Sequence, residues 1–262
     1  MTLAVGIAGI GLLGPGLMGW APSAAVLAGA VPYEPAPLTP PAPTLLPATE
    51  RRRTGPSVRL ALAVATEAVQ DSGLPPEELD TVFASSNGEG HVITSILEAL
   101  HTPDGAISPT QFHNSVHNAA AGYWGIAVGS ARPSVSLGGH DGVLGTGLLH
   151  AAAQAVVARR PVLFVAHDVP LPAPLDALRP TAASFALALV LVPEGGTHGR
   201  ITLAQEDSAA EASDLPDGLA ALHDANPVAR ALPLLAVLAG GRGGTVRLPM
   251  LEDTRLAVAV AA

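Results

Sequence analysis

The sequence predicts an α/β protein built on a mixed, mainly parallel sheet with helices on both faces. Apolar stretches of strand length alternate with stretches of helical periodicity from residue 2 to residue 193, the pattern of strands joined by crossing helices. The opening stretch TLAVGIAGIGLL (2–13) is apolar and punctuated by glycine, as befits a strand covered on both faces. Aromatic residues make up only 3% of the chain while hydrophobic residues make up 48%. Core bulk therefore comes from Ala, Val and Leu, and helices must lie close to the sheet.

The elements follow in order. The first 33 residues carry no charge, yet they have no basic leading region, and Gly14, Pro15, Gly16 and Pro22 interrupt the run. They read as a buried strand, a loop and a short helix, not as a leader or a membrane span. Residues 31–55, VPYEPAPLTPPAPTLLPATERRRTG, are too rich in proline to hold helix or sheet for long and form a surface excursion. SVRLALAVATEAVQDSGL (57–74) is a helix with Ser57 as N-cap and Gly73 as its stop. A strand at about 81–86 runs into a solvated turn at Asn87, Gly88 and Glu89.

HVITSILEALHTP (91–103) is a further helix, and ISPTQFHNSVHNAAAGYWGIAVG (107–129) enters another at Ala119–Val128 through a polar segment. RPSVSL (132–137) is a short strand. The helix Val143–Ala158 has only Thr146, His150 and Gln154 as polar side chains, four apart in one row, which predicts burial between layers. PVLFVAHDV (161–169) and ASFALALVLVPE (183–194) are apolar strands. Beyond Gly195 the signals weaken: strands at 201–207, 244–250 and 255–262, helices at 215–224 and 226–240. Residues 1–194 thus form the main body, and 195–262 a C-terminal extension packing on the same domain.

Thirteen Lys+Arg, all of them Arg, stand against 22 Asp+Glu, a formal charge of -9. That balance argues against nucleic acid as a partner. The absence of Cys removes disulfides, thiolate metal sites and a cysteine nucleophile from consideration, and a cytoplasmic location is expected. Nothing calls for a cofactor.

The most informative stretch is SVSLGGHDGVLGTGLLHAAAQAVVA (134–158): a strand, a tight Gly138–Gly139 turn and an apolar helix. Such a turn places a reactive side chain where the helix start stabilises a developing anion. With VGIAGIGLLGPG (5–16), SPTQFHNSVHNAAAGYWGIAVG (108–129) and FALALVLVPE (185–194) in this order, the chain resembles the N-terminal half of the thiolase-like fold of β-ketoacyl synthases. The resemblance covers most of residues 2–194. It places VSLGGHDGVLGTG (135–147) at the synthases' nucleophilic elbow, where the family carries Cys. Matching Gly142 to the elbow glycine puts Gly139 at the nucleophile position; a shift of one residue puts His140 there. Glycine has no nucleophile, and an imidazole forms an acyl adduct too labile to store a growing chain. Nor does anything after residue 195 resemble the family's second half, with its two histidines for decarboxylation.

The resemblance extends to the chain-length-factor partners of ketosynthases in type II systems, and in particular to short members in aryl polyene clusters. It implies a non-catalytic accessory subunit of a 3-oxoacyl-[acyl-carrier-protein] synthase complex. Such a subunit forms a heterodimer with an active ketosynthase, shapes its acyl tunnel and meets the acyl carrier protein through the complex. In that family the edge strand before the elbow, here Pro133–Leu137, pairs across the dimer. Interface and tunnel candidates are then Phe112, His113, Asn114, His117, Asn118, Tyr123, Trp124, Ser136, Leu137, Gly138, Gly139, His140 and Asp141. Arg51, Arg52 and Arg53 are candidates for docking the carrier or its phosphate, against the plainer reading of a solvated charge run.

Other readings stay open. A stand-alone protein that binds an acyl chain or its carrier needs no enzyme partner. His113 and His117, four apart, with His140 raise a metal hydrolase, but the Glu of HExxH is missing. Ser136 with His140 and Asp141 raises a serine hydrolase, but GxSxG is missing. His140 and Asp141 read more simply as caps of the helix at 143–158. Phe112, Tyr123 and Trp124 serve equally well as plain core, and Asn114 and Asn118 as partners for backbone groups at the helix entry.

Overall fold

The computed structural model describes residues 2–103, 105–207, 215–251 and 253–261. The chain runs through β1 (Thr2–Gly14), β2 (Leu17–Met18), α1 (Trp20–Leu27), α2 (Ala48–Arg51), α3 (Pro56–Ser72), β3 (Asp80–Ala84), α4 (Gly90–His101), α5 (Pro109–Asn114) and α6 (Ala119–Val128). It continues through β4 (Ser134–Leu137), α7 (Val143–Ala158), β5 (Val162–Asp168), α8 (Leu175–Leu178) and β6 (Phe185–Val192). The last part holds β7 (Arg200–Asp207), α9 (Ala220–Ala225), α10 (Leu232–Gly240), β8 (Gly244–Pro249) and β9 (Thr254–Val260).

One sheet takes the order β4-β3-β5-β6-β1-β7-β9-β8, with β2 folded back on β1. β3 is parallel to both β4 and β5, and the remaining pairs are antiparallel. Tracing these pairings, β4, β3, β5, β1 and β9 point one way, and β6, β7 and β8 the other. The sheet is therefore mixed with one prevailing direction, as predicted. β6 returns antiparallel to β5 through a connection without a long helix, whereas β7 runs the same way as β6 with β1 between them, and α9 and α10 carry the chain from β7 to β8, which keeps that direction. The strands after residue 194 join this sheet beside β1.

Alternation along the strands divides the core in two. Leu163 and Val165 of β5, with Ala186, Ala188 and Val190 of β6, face α3 and α6; Phe164, with Leu187, Leu189 and Leu191, faces α7. The α3 side is paved with small residues, and α3 comes down onto β1. A Cβ on Gly11 would lie 2.1 Å from the Val64 carbonyl oxygen, and one on Gly9 would lie 2.1 Å from that of Ala68. These two glycines set the helix-to-sheet distance. Glu67 of α3 reinforces the contact by accepting from the Leu12 and Trp20 amides at 2.9 and 2.6 Å.

Two local expectations change. Ser57 is not the cap of α3: Gly55 is, with Pro56 in the first turn, and Ser57 turns inward to His167. Pro56 explains the shift, since its fixed φ and missing N–H suit the first helical position. Gly73 does end the helix, in the left-handed conformation at φ 67°. Helix α7 is not sandwiched on all sides; one face meets the sheet, while His150 and Val157 are exposed. Its start is covered by the β8–β9 turn, where Cβ atoms on Gly142 and Gly145 would meet the Met250 and Pro249 carbonyl oxygens at 2.4 and 2.5 Å. Among the described residues no helix is long and apolar enough to cross a membrane.

Gly11→Ala is expected to cost about 3 kcal/mol, the upper range of overpacking, because backbone must move to admit the methyl. Gly122→Ala on α6, with nothing within 4 Å of its Cβ position, is expected to be neutral or to stabilise by roughly 0.5 kcal/mol. Urea unfolding of the two variants measures the difference.

Candidate functional site

Because β3, β4 and β5 are parallel, the loops leaving their C-terminal ends gather on one side, the place where open α/β sheets hold their sites. Three segments meet there: residues 85–89 after β3, 138–142 after β4 and 169–184 after β5.

Asp168, at the end of β5, is 1% exposed and organises the first of them. It accepts from Ser85 Oγ and the Asn87 amide at 2.8 Å and from the Ser86 amide at 3.0 Å. Burial pushes its carboxyl up to about 6, against these hydrogen bonds and the charge of Arg179. Asn87 donates to the Val169 carbonyl and to Thr181 Oγ1 at 3.1 and 2.9 Å. The 87–89 segment is thus bound into the protein, and Glu89 is buried, contrary to the expected solvated loop; Asp168 supplies the acceptors that water would otherwise provide.

Arg179 ties this loop to the elbow. Its Nε donates to Asn87 Oδ1 (3.1 Å), its Nη2 to Ser86 Oγ and to Asp141 Oδ1 (2.7 Å), and its Nη1 to His140 Nε2 (2.7 Å). Arg230 adds bonds to the Asp141 carbonyl (3.2 Å) and to Oδ2 (3.5 Å). Burial alone would raise the Asp141 carboxyl, but the Arg179 hydrogen bond and the surrounding Arg230, Arg179 and His140 hold it below the ordinary range. His140 and Asp141 therefore do not cap α7. They lie in a short 3-10 turn, Gly142 occupies the N-cap and no side chain caps the helix, because both side chains are drawn outward by the arginines.

The elbow itself has two diagnostic positions. At Gly139 a Cβ would fall 2.9 Å from Val143 Cα and 3.3 Å from its amide nitrogen, so a side chain needs the helix start to move. His140 has a positive φ of 48°, one of two such non-glycine residues among those described, with Arg159 at the end of α7; that conformation costs energy and concentrates at functional turns. Of the two alignments open from sequence, the backbone singles out His140 as the strained position.

Beneath the elbow lies a buried polar cluster. Ser57 Oγ and His167 Nδ1 are hydrogen-bonded at 3.1 Å. Burial pushes Glu89 up to about 7 against a hydrogen bond from Ser57, and burial with the neighbouring His117 pushes His167 down to about 3. A Cβ on Gly138 would sit 3.2 Å from His117 Nε2, so His117 reaches the turn.

The aromatic segment splits. Tyr123 and Trp124 are buried, whereas Phe112 is exposed. Tyr123 donates to Asn114 Oδ1 (3.0 Å), His113 Nδ1 meets the same oxygen (3.2 Å), and Asn114 Nδ2 donates to the Arg53 carbonyl (2.8 Å). Phe112, His113, Val116, Asn118, Tyr123 and Ile126 line a groove of about 480 Å³. A second groove, about 710 Å³, runs between α6 and β4 past Asn118, Trp124, Arg132 and Ser136. Leu137 ends β4, half-buried. Ser136 Oγ is buried without a hydrogen-bond partner and so makes no relay with His140. His113 bonds to Asn114 and His140 to Arg179; among the described residues no three His, Cys, Asp or Glu side chains gather as a metal site. Arg51 donates to the Thr44 and Leu46 carbonyls and Arg53 pairs with Glu50 at 3.1 Å.

Arg179, Arg230, Asp168 and His167 escaped the sequence reading, which took Glu89 for a solvated turn residue. A His-Asp pair closing the apolar strand PVLFVAHDV was the available signal. Arg179→Gln is expected to cost about 2 kcal/mol at pH 7, since it frees partly buried acceptors. A double-mutant cycle with Asp141→Asn should give a coupling of about 1 kcal/mol. Additive losses in urea unfolding would place Asp141 outside the lock.

No curated protein matches the chain by sequence. Solved structures do match by fold. One is the ketosynthase ApeO in complex with its chain length factor ApeC from Xenorhabdus doucetiae, with TM-score 0.75, 21% identity, and coverage of 98% of this chain and 99% of that chain. Another is the ishigamide ketosynthase/chain length factor, with TM-score 0.72, 13% identity and coverage of 98% and 99%. A third is AntDE:AntF, a type II acyl-carrier protein in complex with its ketosynthase bound to the hexaketide, with TM-score 0.71, 11% identity and full coverage of both chains. At these identities the likeness is one of fold. Residues 27–245 match the model of the β-ketoacyl synthase N-terminal domain, and the chain belongs to that family.

Proposed function

We propose that this chain is a non-catalytic subunit of the chain-length-factor type, which pairs with an active ketosynthase and shapes its acyl tunnel in type II polyene or fatty-acid-like biosynthesis. The elbow carries the reading. Its strand, turn and helix are present, yet Gly139 faces Val143 without room for a side chain. The strained position holds an imidazole whose Nε2 accepts from Arg179. An imidazole so engaged is poorly placed to attack a thioester, and the chain has no Cys to hold an acyl group.

The surface supports pairing. β4 ends the sheet and, among the described residues, has β3 as its one strand partner, so its outer edge presents free backbone groups to another strand. α6 packs beside it, and α4, α5, α6 and the connection between the last two expose Ile93, Leu97, Leu100, Phe112, Val116 and Ile126, apolar surface of the kind that marks protein interfaces. The solved complexes similar in fold include pairs of a ketosynthase with its chain length factor, and one with an acyl-carrier protein. Carrier docking falls first to Arg52, since Arg51 is committed to backbone carbonyls and Arg53 is paired with Glu50. The stand-alone reading rests on the groove lined by Phe112, Val116 and Ile126, whose volume suits a small ligand.

Co-expression with a ketosynthase from the same gene cluster should give a one-to-one complex by size exclusion with light scattering. Two separate, well-behaved monomers would favour the stand-alone reading instead. Leu97→Glu with Ile126→Glu is expected to weaken the complex by roughly 30-fold or more, the loss typical of a buried hot spot. Gly139→Cys is expected to give no condensation by this chain alone; product formed by that variant without a partner would refute the proposal.

A further inference from the structure

The chain has asparagine at 87, 114, 118 and 226, and Asn87 is the one followed by glycine. Asparagine is among the thermolabile residues, and a glycine after it has no Cβ to hinder the backbone nitrogen from reaching the side-chain carbon. That attack forms the N–Cγ bond of a five-membered succinimide and expels the amide nitrogen as ammonia. Water then opens the ring at either carbonyl, giving aspartate or isoaspartate. Water is the one co-reactant, and Asn87 and Gly88 are only half-buried.

Each group that takes part in this reaction is held elsewhere. Asn87 Nδ2, the leaving nitrogen, donates to the Val169 carbonyl at 3.1 Å and to Thr181 Oγ1 at 2.9 Å. Asn87 Oδ1 accepts from Arg179 Nε at 3.1 Å. The Gly88 nitrogen, which would attack, donates its proton to Ser85 Oγ at 2.9 Å. Ser85 is fixed in turn by donating to Asp168 at 2.8 Å, and the Asn87 amide donates to the same carboxyl at 2.8 Å. Ring closure removes both bonds of Nδ2 with the ammonia and the Gly88 bond with its proton, so it waits on local opening of the 85–89 segment.

We propose that Asn87–Gly88 is a latent self-modification site guarded by the Arg179 lock. While the lock holds, the pair is stable; when the 85–89 segment leaves Arg179, the pair converts to aspartate or isoaspartate and does not return. Either product unmakes the lock. Aspartate has no Nδ2 to donate to Val169 and Thr181, and it sets a second carboxylate in a loop already wrapped around Asp168. Isoaspartate carries the main chain through the former side chain and lengthens it by one carbon, so the amides of residues 86–88 lose their common register on Asp168 and Ser85. The site thus records in covalent form an opening of the face that joins the β3 loop to the elbow, whatever partner the chain has.

Peptide mapping by mass spectrometry, with the chain kept at one mildly alkaline pH, follows the conversion. In the folded wild type Asn87 should convert roughly a hundredfold more slowly than in the same chain unfolded in urea, because several hydrogen bonds must open first. Arg179→Gln should speed conversion about tenfold, and Thr181→Val, which reads the same guard through a different bond, roughly fivefold. Gly11→Ala, which disturbs the packing of β1 on α3 and leaves the lock intact, should stay near the wild-type rate. Equal rates in folded and unfolded wild type overturn the proposal. So does a folded Arg179→Gln or Thr181→Val that converts no faster than wild type, the result expected if Arg179 polarised the Asn87 carbonyl and promoted attack. Gly11→Ala matching Arg179→Gln also overturns it, since conversion would then follow global unfolding. In the converted fraction, separated by its added charge, hydrogen exchange of residues 85–90 should be faster than in the unconverted chain; equal exchange would contradict the loss of the lock.

Discussion

The guanidinium of Arg179 is the contact on which the architecture of this face depends. It bridges the loop after β3 and the turn after β4 from a third segment, the long connection between β5 and β6. Without it, Asp141 loses its main counter-charge and the strained His140 loses the acceptor bond that helps to hold its backbone in place. Strain of this kind persists where the surroundings over-determine it. Here Arg179 and Arg230 act from outside, and the Pro249–Met250 turn closes over Gly142 and Gly145 from the opposite side.

That closure has a consequence for chemistry. A nucleophilic elbow works when its side chain stands clear with donors aimed at the developing anion. In this chain the space beside Gly139 is filled by the first residue of α7, and the arginines are spent on Asp141. The strand edge at β4 and the apolar sides of α4, α5 and α6 meanwhile remain uncovered. Packing has been kept tight where a catalyst needs room, and surface has been left open where an assembly needs contact, which is the physical content of the pairing proposal.

The strand and helix order was legible in the sequence because apolar periodicity survives in β1, β5, β6, α3 and α7. Gly73 and the helix Ala119–Val128 were legible for the same local reasons. What escaped was long-range and polar. Ser57 looks like a cap because serine before an apolar run usually is one; nothing local reveals that Pro56 starts the helix and that His167, 110 positions away, takes the hydroxyl. The 87–89 turn looks solvated because Asn-Gly-Glu is polar, and its burial depends on Asp168, 81 positions along. Arg179 follows a loop of prolines and leucines that carries no periodic signal. The Gly138–Gly139 turn is legible from its glycines and its place at the elbow from the family resemblance, but which of its residues is strained is a backbone property invisible in composition.

The claim that this scaffold carries no chemistry of its own is tested most directly by intact-protein mass spectrometry of the ketosynthase complex after loading with an acyl-carrier substrate. The expected spectrum has the acyl mass on the ketosynthase and an unmodified mass for this chain. A covalent acyl adduct on this chain, lost in a His140→Ala variant that still assembles, would contradict it.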